Sequence, residues 1–262
     1  MVKIRVFLRA SGVIFATMLA VSVPLVVRIV TLNARGPVAR IGSLASWLWS
    51  RSLCRILGIE VLASGRPEGD PFVVAANHVS YIDILVLGSL YRSQFVAKDE
   101  IRGWPVFGWV SRAAGTLYVN RDNPRDAVRV IRSIRHHLAN GVAITLFPEG
   151  GTSAGEEVRP FLPTLLEPAA GAGVPCYAAS LSYETPDSHV APGDTICWHD
   201  GSNFVKHFLG IMHVKKIEAR VSFSERPVRS SDRKELAQKL WEDARDSFVP
   251  IRGEAVSRRC AP

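Results

Sequence analysis

The sequence predicts an α/β fold with a largely buried sheet, preceded by an N-terminal helical hairpin. Three observations predict it. Short β-branched runs alternate with helical stretches from residue 58 onward. Two apolar segments fill most of residues 1–57. The chain has 262 residues, 47% of them apolar and 21% charged, enough for one large core and a small appendage.

The first apolar run, 13–27, follows Lys3, Arg5 and Arg9 and is interrupted by Arg28. It is short for a membrane span, which needs about 20 apolar residues. A second segment, 38–57, carries Trp47 and Trp49, with Arg40, Arg51 and Arg55 on one helical face. A greasy helix with tryptophans and a basic stripe suits the headgroup boundary. Gly36-Pro37 separates the two segments. The expectation is a helix–turn–helix hairpin lying in one leaflet, with the rest of the chain on the cytoplasmic face of the membrane. A single-span anchor and an uncleaved signal remain as alternatives.

From residue 58 the candidate strands are 59–62, 72–76, 95–97, 117–119, 142–147, 174–181 and 217–223. A helix is expected after Asn123, with Pro124 in its first turn and Gly141 closing it. Val128, Ile131, Ile134 and Leu138 would form its buried face, and Arg125, Arg129, Arg132 and Arg135 its solvated or membrane-facing side. A second helix is expected over 233–248. Asp232 and Glu235 would cap it, and Leu236, Leu240, Ala244 and Phe248 would line its inner face. The division is thus a hairpin over 1–57, one domain over 58–250 and a disordered tail over 251–262.

Thirty-two Lys and Arg against 24 acids give a net charge of +8. That favours an anionic partner: a phosphate-bearing substrate, an anionic bilayer or nucleic acid. No nucleic-acid-binding signature accompanies the arginines, so nucleic acid is not expected. Cys54, Cys176, Cys197 and Cys260 show neither metal-ligand nor disulfide spacing. No metal and no cofactor are expected, and the thiols read as buried in a reducing compartment.

Asn77-His78-Val79-Ser80-Tyr81-Ile82-Asp83 follows the strand 72–76, with Ile84, Leu85, Val86 and Leu87 after it. A strand ends, a polar turn intervenes and a helix begins, where α/β proteins place ligands. A neutral imidazole can take a hydroxyl proton near neutral pH, and a carboxylate on its other nitrogen fixes the tautomer. On an ideal helix residues five apart lie about 140° from each other. The pairing therefore requires His78 in the turn before the helix. Alternatively, Ser80 to Asp83 is a capping box and Asp83 serves only the helix start.

NHVSYID resembles the first motif, NHxSxxD, of the glycerolipid acyltransferases typified by 1-acyl-sn-glycerol-3-phosphate acyltransferase. Three more stretches resemble the family's motifs in its order. Residues 98–121 (KDEIRGWPVFGWVSRAAGTLYVNR) match the second through Lys98, Pro105, Gly108, Gly115 and Arg121. FPEGGTS, residues 147–153, resembles FPEGTRS, and Val174-Pro175 resembles the fourth motif. Together they cover about residues 70–185. The resemblance implies a mixed sheet flanked by helices and transfer of an acyl group from acyl-CoA or acyl carrier protein to a lysolipid, foremost 1-acyl-sn-glycerol 3-phosphate, giving phosphatidic acid. It makes His78 the general base and Asp83 its partner. It assigns Lys98, Arg121, Glu149, Gly150, Gly151, Thr152 and Ser153 to substrate binding, with Arg121 on the acceptor phosphate. Two departures stand out. Thr152 occupies the usual arginine position of the third motif, and no second proline follows Pro175. Another acceptor, such as a lyso-ornithine lipid, therefore stays open, and Arg112, Arg121 or Arg159 would have to compensate for the missing charge.

Two rivals belong to other classes. Gly151-Thr152-Ser153-Ala154-Gly155 fits the GxSxG of serine hydrolases, which requires a strand just before the serine and a helix just after. A non-enzymatic membrane-binding module would account for the N-terminus but not for the histidine turn.

Overall fold

The computed structural model describes residues 2–30, 35–103, 107–113, 115–120, 124–186, 190–199, 201–251 and 253. Pro105, Arg121 and Asn123 lie outside the described residues, as do the side chains of Arg40 and Arg125.

Two long helices lead, α1 (Val2–Val30) and α2 (Arg35–Leu57). The domain follows as β1 (Ile59–Ser64), β2 (Val73–Ala76), α3 (Ile82–Leu90), β3 (Gln94–Lys98), α4 (Phe107–Ala113), β4 (Leu117–Val119) and α5 (Pro124–Ala139). It continues with β5 (Ile144–Leu146), α6 (Glu167–Ala172), β6 (Cys176–Glu184), α7 (Pro192–Thr195), α8 (Phe204–His213), β7 (Ile217–Phe223) and α9 (Arg233–Asp246). The strand order is β1-β7-β6-β2-β5-β3-β4. The β6–β7 pair is antiparallel and every other pair is parallel. The sheet is therefore mixed, as the family resemblance implies.

Alternation along β2 explains the layering. Val74 and Ala76 pack into one core with Leu57 of α2, Val86 of α3 and Ile211 of α8. Val73 and Ala75 pack into the other with Ile134 of α5, Ala169 of α6 and Leu240 of α9. Successive side chains of a strand point to opposite faces. A strand buried on both faces therefore reads as a continuous apolar run.

Several sequence expectations need correction. The break between the N-terminal helices is not at Gly36-Pro37, which lie in the first turn of α2. Proline is tolerated there because its missing N–H would have had no partner in the helix. In α5, Val128 is exposed and Val130 is buried with Ile134 and Leu138. A spacing of four keeps 130, 134 and 138 on one face, whereas 128 is turned out to solvent. Ordered structure also reaches one residue past the expected boundary at 250. Ile251 is buried, and its N–H donates to the Gly155 carbonyl at 2.8 Å. Residue 252 and residues 254–262 lie outside the described residues.

At the α9 start only the Asp232 half of the expected box forms, its carboxylate accepting from the Lys234 and Glu235 amides at 2.6 and 3.3 Å. Glu235 does not complete the box; it pairs with Ser230 and Lys239 instead. On α5, Arg129 and Arg135 pair with Asp126 and Glu167.

The N-terminal helix is tied to the domain. Arg9 is buried and donates to the carbonyls of Met212 (3.1 Å), Val214 and Lys215 (2.9 Å). Arg5 donates to the carbonyl of His213. These acceptors lie at and just beyond the C-terminus of α8, where helix carbonyls lack intrahelical partners and the dipole favours a cation. Farther along, Trp49 of α2 donates to Thr17 of α1 at 3.0 Å. The opposite side of α1 exposes Phe7, Leu8, Ile14, Phe15, Met18 and Leu19. Among the described residues, Val2–Val23 is the stretch long and apolar enough to cross a membrane.

Replacing Arg9 by Leu leaves three carbonyls without their donor. It should destabilise the fold by about 2–4 kcal/mol, read as a lower melting temperature in detergent.

Candidate active site

The site is built at the C-terminal end of β2, between β5 and β6. The chain leaves the sheet at Asn77, whose side chain is buried and bonded twice to one residue of β6. Its Nδ2 donates to the Leu181 carbonyl at 3.0 Å, and its Oδ1 accepts from the Leu181 amide at 2.6 Å. That clamp holds the turn in place.

His78 lies in the turn and Asp83 in the first turn of α3. Because His78 is not helical, the angular obstacle disappears. Its Nδ1 is 2.8 Å from Asp83 Oδ2. The same oxygen accepts from the Val79 amide at 2.8 Å and the Ser80 amide at 3.0 Å. Asp83 therefore orients the ring and also stabilises the helix start, so it does not serve the helix start alone. Oδ1 accepts from the Tyr183 hydroxyl at 2.6 Å. Asp83 is fully buried, while 18% of the His78 side chain is exposed. An ionised carboxylate only accepts, so the neutral ring carries its proton on Nδ1 and leaves Nε2 with a lone pair. Phe147 stacks on the imidazole at 4.0 Å between centroids, with planes 16° apart.

The Gly-rich loop after β5 is laced to this turn. The Ser153 amide donates to the His78 carbonyl at 2.8 Å, and the Trp198 amide to the Val79 carbonyl at 2.8 Å. The Thr152 hydroxyl donates to the Trp198 carbonyl at 2.6 Å. Gly150 has φ +86°, a conformation that side chains disfavour.

A cavity of about 320 Å³ opens beside the ring. His78, Lys98, Gly150, Gly151 and Thr152 share its wall with Glu100. Ile84, Leu85, Phe95, Val96, Val119 and Leu165 supply much of its apolar lining, and Ser46 and Trp49 of α2 close one side. A larger depression of about 690 Å³ beside α7 and α8 holds none of the motif residues.

Not every residue singled out from the sequence reaches the cavity. Glu149 and Ser153 are buried and absent from its wall. Arg121 lies outside the described residues. Arg112 and Arg159 are exposed, and Arg159 reaches only the Thr152 carbonyl, at 3.4 Å. The serine-hydrolase alternative fails on geometry. Strand β5 ends at Leu146, no α-helix follows Ser153 before Glu167, and the Ser153 hydroxyl accepts from Gly155. Sequence reasoning missed Tyr183, the stacking of Phe147 on His78 and the wall contribution of α2. The long apolar run into β6 was the only hint of the first.

Glu149 has an unusual environment. Neither carboxylate oxygen has a hydrogen-bond partner in good geometry. Burial pushes its carboxyl up to about 8, with the nearby Asp83 charge adding to the rise. The His78 and Arg159 backbone amides and the Arg159 guanidinium temper it.

The sequence family described as Acyltransferase matches residues 58–182. The lyso-ornithine lipid O-acyltransferase of Pseudomonas aeruginosa is 31% identical over 270 residues, covering the whole of both chains. This chain belongs to the glycerolipid acyltransferase family. A 1-acyl-sn-glycerol-3-phosphate acyltransferase of Neisseria meningitidis is 33% identical over 199 residues, 72% of this chain and 74% of that one. The crystal structure of the 1-acyl-sn-glycerophosphate acyltransferase of Thermotoga maritima superposes with a TM-score of 0.67 over the whole of both chains at 21% identity, which shows a shared fold. As a family member the chain is an O-acyltransferase, and its four motif stretches lie within the matched region.

The Glu149 environment has a measurable consequence. Its carboxyl titrates near the ordinary 4.5 when unfolded and near 8 when folded. Between those values the folded state holds a proton that the unfolded state has released, so stability falls as pH rises. Above about 8 both states are ionised and the loss is complete. Glu149→Gln should flatten the fall in melting temperature between about pH 5 and 8. An unchanged pH slope would contradict the assignment.

Proposed function

We propose that the protein transfers a fatty acyl group from an acyl thioester, acyl-CoA or an acyl carrier protein, to the hydroxyl of a lysolipid. The observation that carries this reading is the His78–Asp83 pair in the wall of a largely apolar cavity. Nε2 of His78 accepts the hydroxyl proton as the oxygen attacks the thioester carbonyl. Asp83 steadies the imidazolium that forms. The tetrahedral intermediate collapses, the C–S bond breaks and the thiolate leaves with the proton from His78. The new ester is the product, and no acyl-enzyme forms. Lys98 and the Gly150–Thr152 loop stand on the same wall, where they can offset negative charge on the oxyanion or the substrates.

The apolar part of the cavity suits the acyl chain. Its closure by Ser46 and Trp49 ties the site to the N-terminal hairpin. With one side of α1 docked on the domain and the other exposing large apolar side chains, the hairpin lies in one leaflet and holds the mouth of the site at the membrane. We place the domain on the cytoplasmic face, where the basic N-terminal segment, residues 1–57 with eight Lys and Arg and no acid, complements anionic lipid.

Two acceptors follow from the relatives: 1-acyl-sn-glycerol 3-phosphate and lyso-ornithine lipid. Lyso-ornithine lipid fits this loop better. Thr152 stands where the motif's arginine would face a phosphate, and its hydroxyl is engaged by Trp198. The Pseudomonas aeruginosa relative, which matches this chain from end to end, is named for that acceptor.

Purified full-length protein should release thiol from a labelled acyl thioester only when a lysolipid is present, and the label should enter ornithine lipid. Label in phosphatidic acid would assign the phosphate acceptor and leave the chemistry intact. Equal thiol release without any acceptor would contradict transfer.

A further inference from the structure

We propose that Tyr183 is a positioning residue for acyl transfer, setting the orientation and charge of the His78–Asp83 pair from the overhanging end of β6. The proposal rests on His78 acting as the base. Strand β6 pairs with β2 only as far as Ala179, opposite Ala76, and then runs on to Glu184. The overhang is held on its other side by β7, with Tyr183 opposite Ala219. It therefore stands as a fixed rail beside the turn that carries the histidine.

Two contacts cross from the rail to the turn. Asn77 brackets Leu181, and Tyr183 donates to Asp83 Oδ1 at 2.6 Å. Residues 181 and 183 share one face of the strand. Both partners of the second contact are almost wholly buried. Burial and the neighbouring carboxylate both push the phenol well above its ordinary range, so it stays a donor throughout the working pH range.

The division of labour on the carboxylate follows. Oδ2 serves the ring and two backbone amides, all within residues 78–83. Oδ1 is met by Tyr183, a hundred residues away. The local bonds shape the turn, and the distant one fixes the turn against the sheet. Removing the hydroxyl leaves Oδ1 without that donor and the carboxylate with more charge to offer the imidazole. That favours the protonated ring, which cannot act as a base. Among the described residues, the other titratable groups facing these two are Glu149 beside Asp83, Cys197 beside both, and Cys54 beside Tyr183. Burial pushes both thiols up, to about 12 for Cys197 and about 11 for Cys54, so they stay neutral.

Tyr183→Phe in the full-length protein is the test, with kcat, both KM values, the pH dependence of kcat/KM and the melting temperature measured together. We expect kcat to fall about tenfold and both KM values to stay within about twofold. The acid limb of kcat/KM should move to higher pH. In an Asp83→Asn background the same change should cost less than about twofold, because the two act as one unit. A kcat within twofold of the parent with an unmoved acid limb would overturn the proposal. So would a tenfold loss that persists undiminished in the Asp83→Asn background, since Tyr183 would then not act through Asp83. The His78→Ala variant separates the two levels. An inactive His78→Ala beside an unaffected Tyr183→Phe removes Tyr183 alone, whereas full turnover by His78→Ala removes the base and its positioning together.

Discussion

The carboxylate of Asp83 is the contact on which the site depends. It is fully buried, and it meets four donors: an imidazole, two backbone amides and a phenol. A buried charge with fewer partners would be costly and would tend to take up a proton. Here the partners also do separate tasks. The amides make the turn, the phenol ties the turn to the sheet, and the imidazole receives what remains, a fixed ring with one nitrogen free for chemistry.

The sheet supplies the platform for that contact. A central strand buried on both faces cannot tilt without disturbing two cores, so the end of β2 is rigid. The turn that leaves it is bonded on three sides, by Leu181, Ser153 and Trp198. One side of the cavity is completed by α2 of the N-terminal hairpin, whose partner helix is pinned to the carbonyls around the end of α8 by Arg5 and Arg9. The same arginines would serve a simple membrane anchor less well in this position, because their charge is turned inward to the protein. Under the proposed function, catalytic chemistry and membrane residence are joined through one short stretch of α2 that includes Ser46 and Trp49.

Much of this was legible in the chain, for local reasons. The run 217–223 became β7 without a residue of error, since β-branched alternation is a local signal. Asp232 announced α9 because a cap is made within three residues of itself. His78 and Asp83 were readable as a pair because the turn that unites them spans only six residues. What failed depends on distance. Val128 and Val130 are equally apolar, and only the position of the neighbouring elements decides which is inside. Tyr183 reaches Asp83 because β6 outruns β2, a matter of strand lengths a hundred residues apart. Glu149 carried a family motif, yet the loop turns it inward while its neighbours Gly150 and Gly151 face the cavity. A motif names residues without saying which way they point.

The most direct test of the central claim is chemical rescue of the missing imidazole. A His78→Gly protein should transfer acyl groups at least about a thousandfold more slowly than the parent. Imidazole added to the buffer should then restore part of the rate in proportion to its unprotonated concentration. Transfer by His78→Gly within about tenfold of the parent, without added imidazole, would contradict the account.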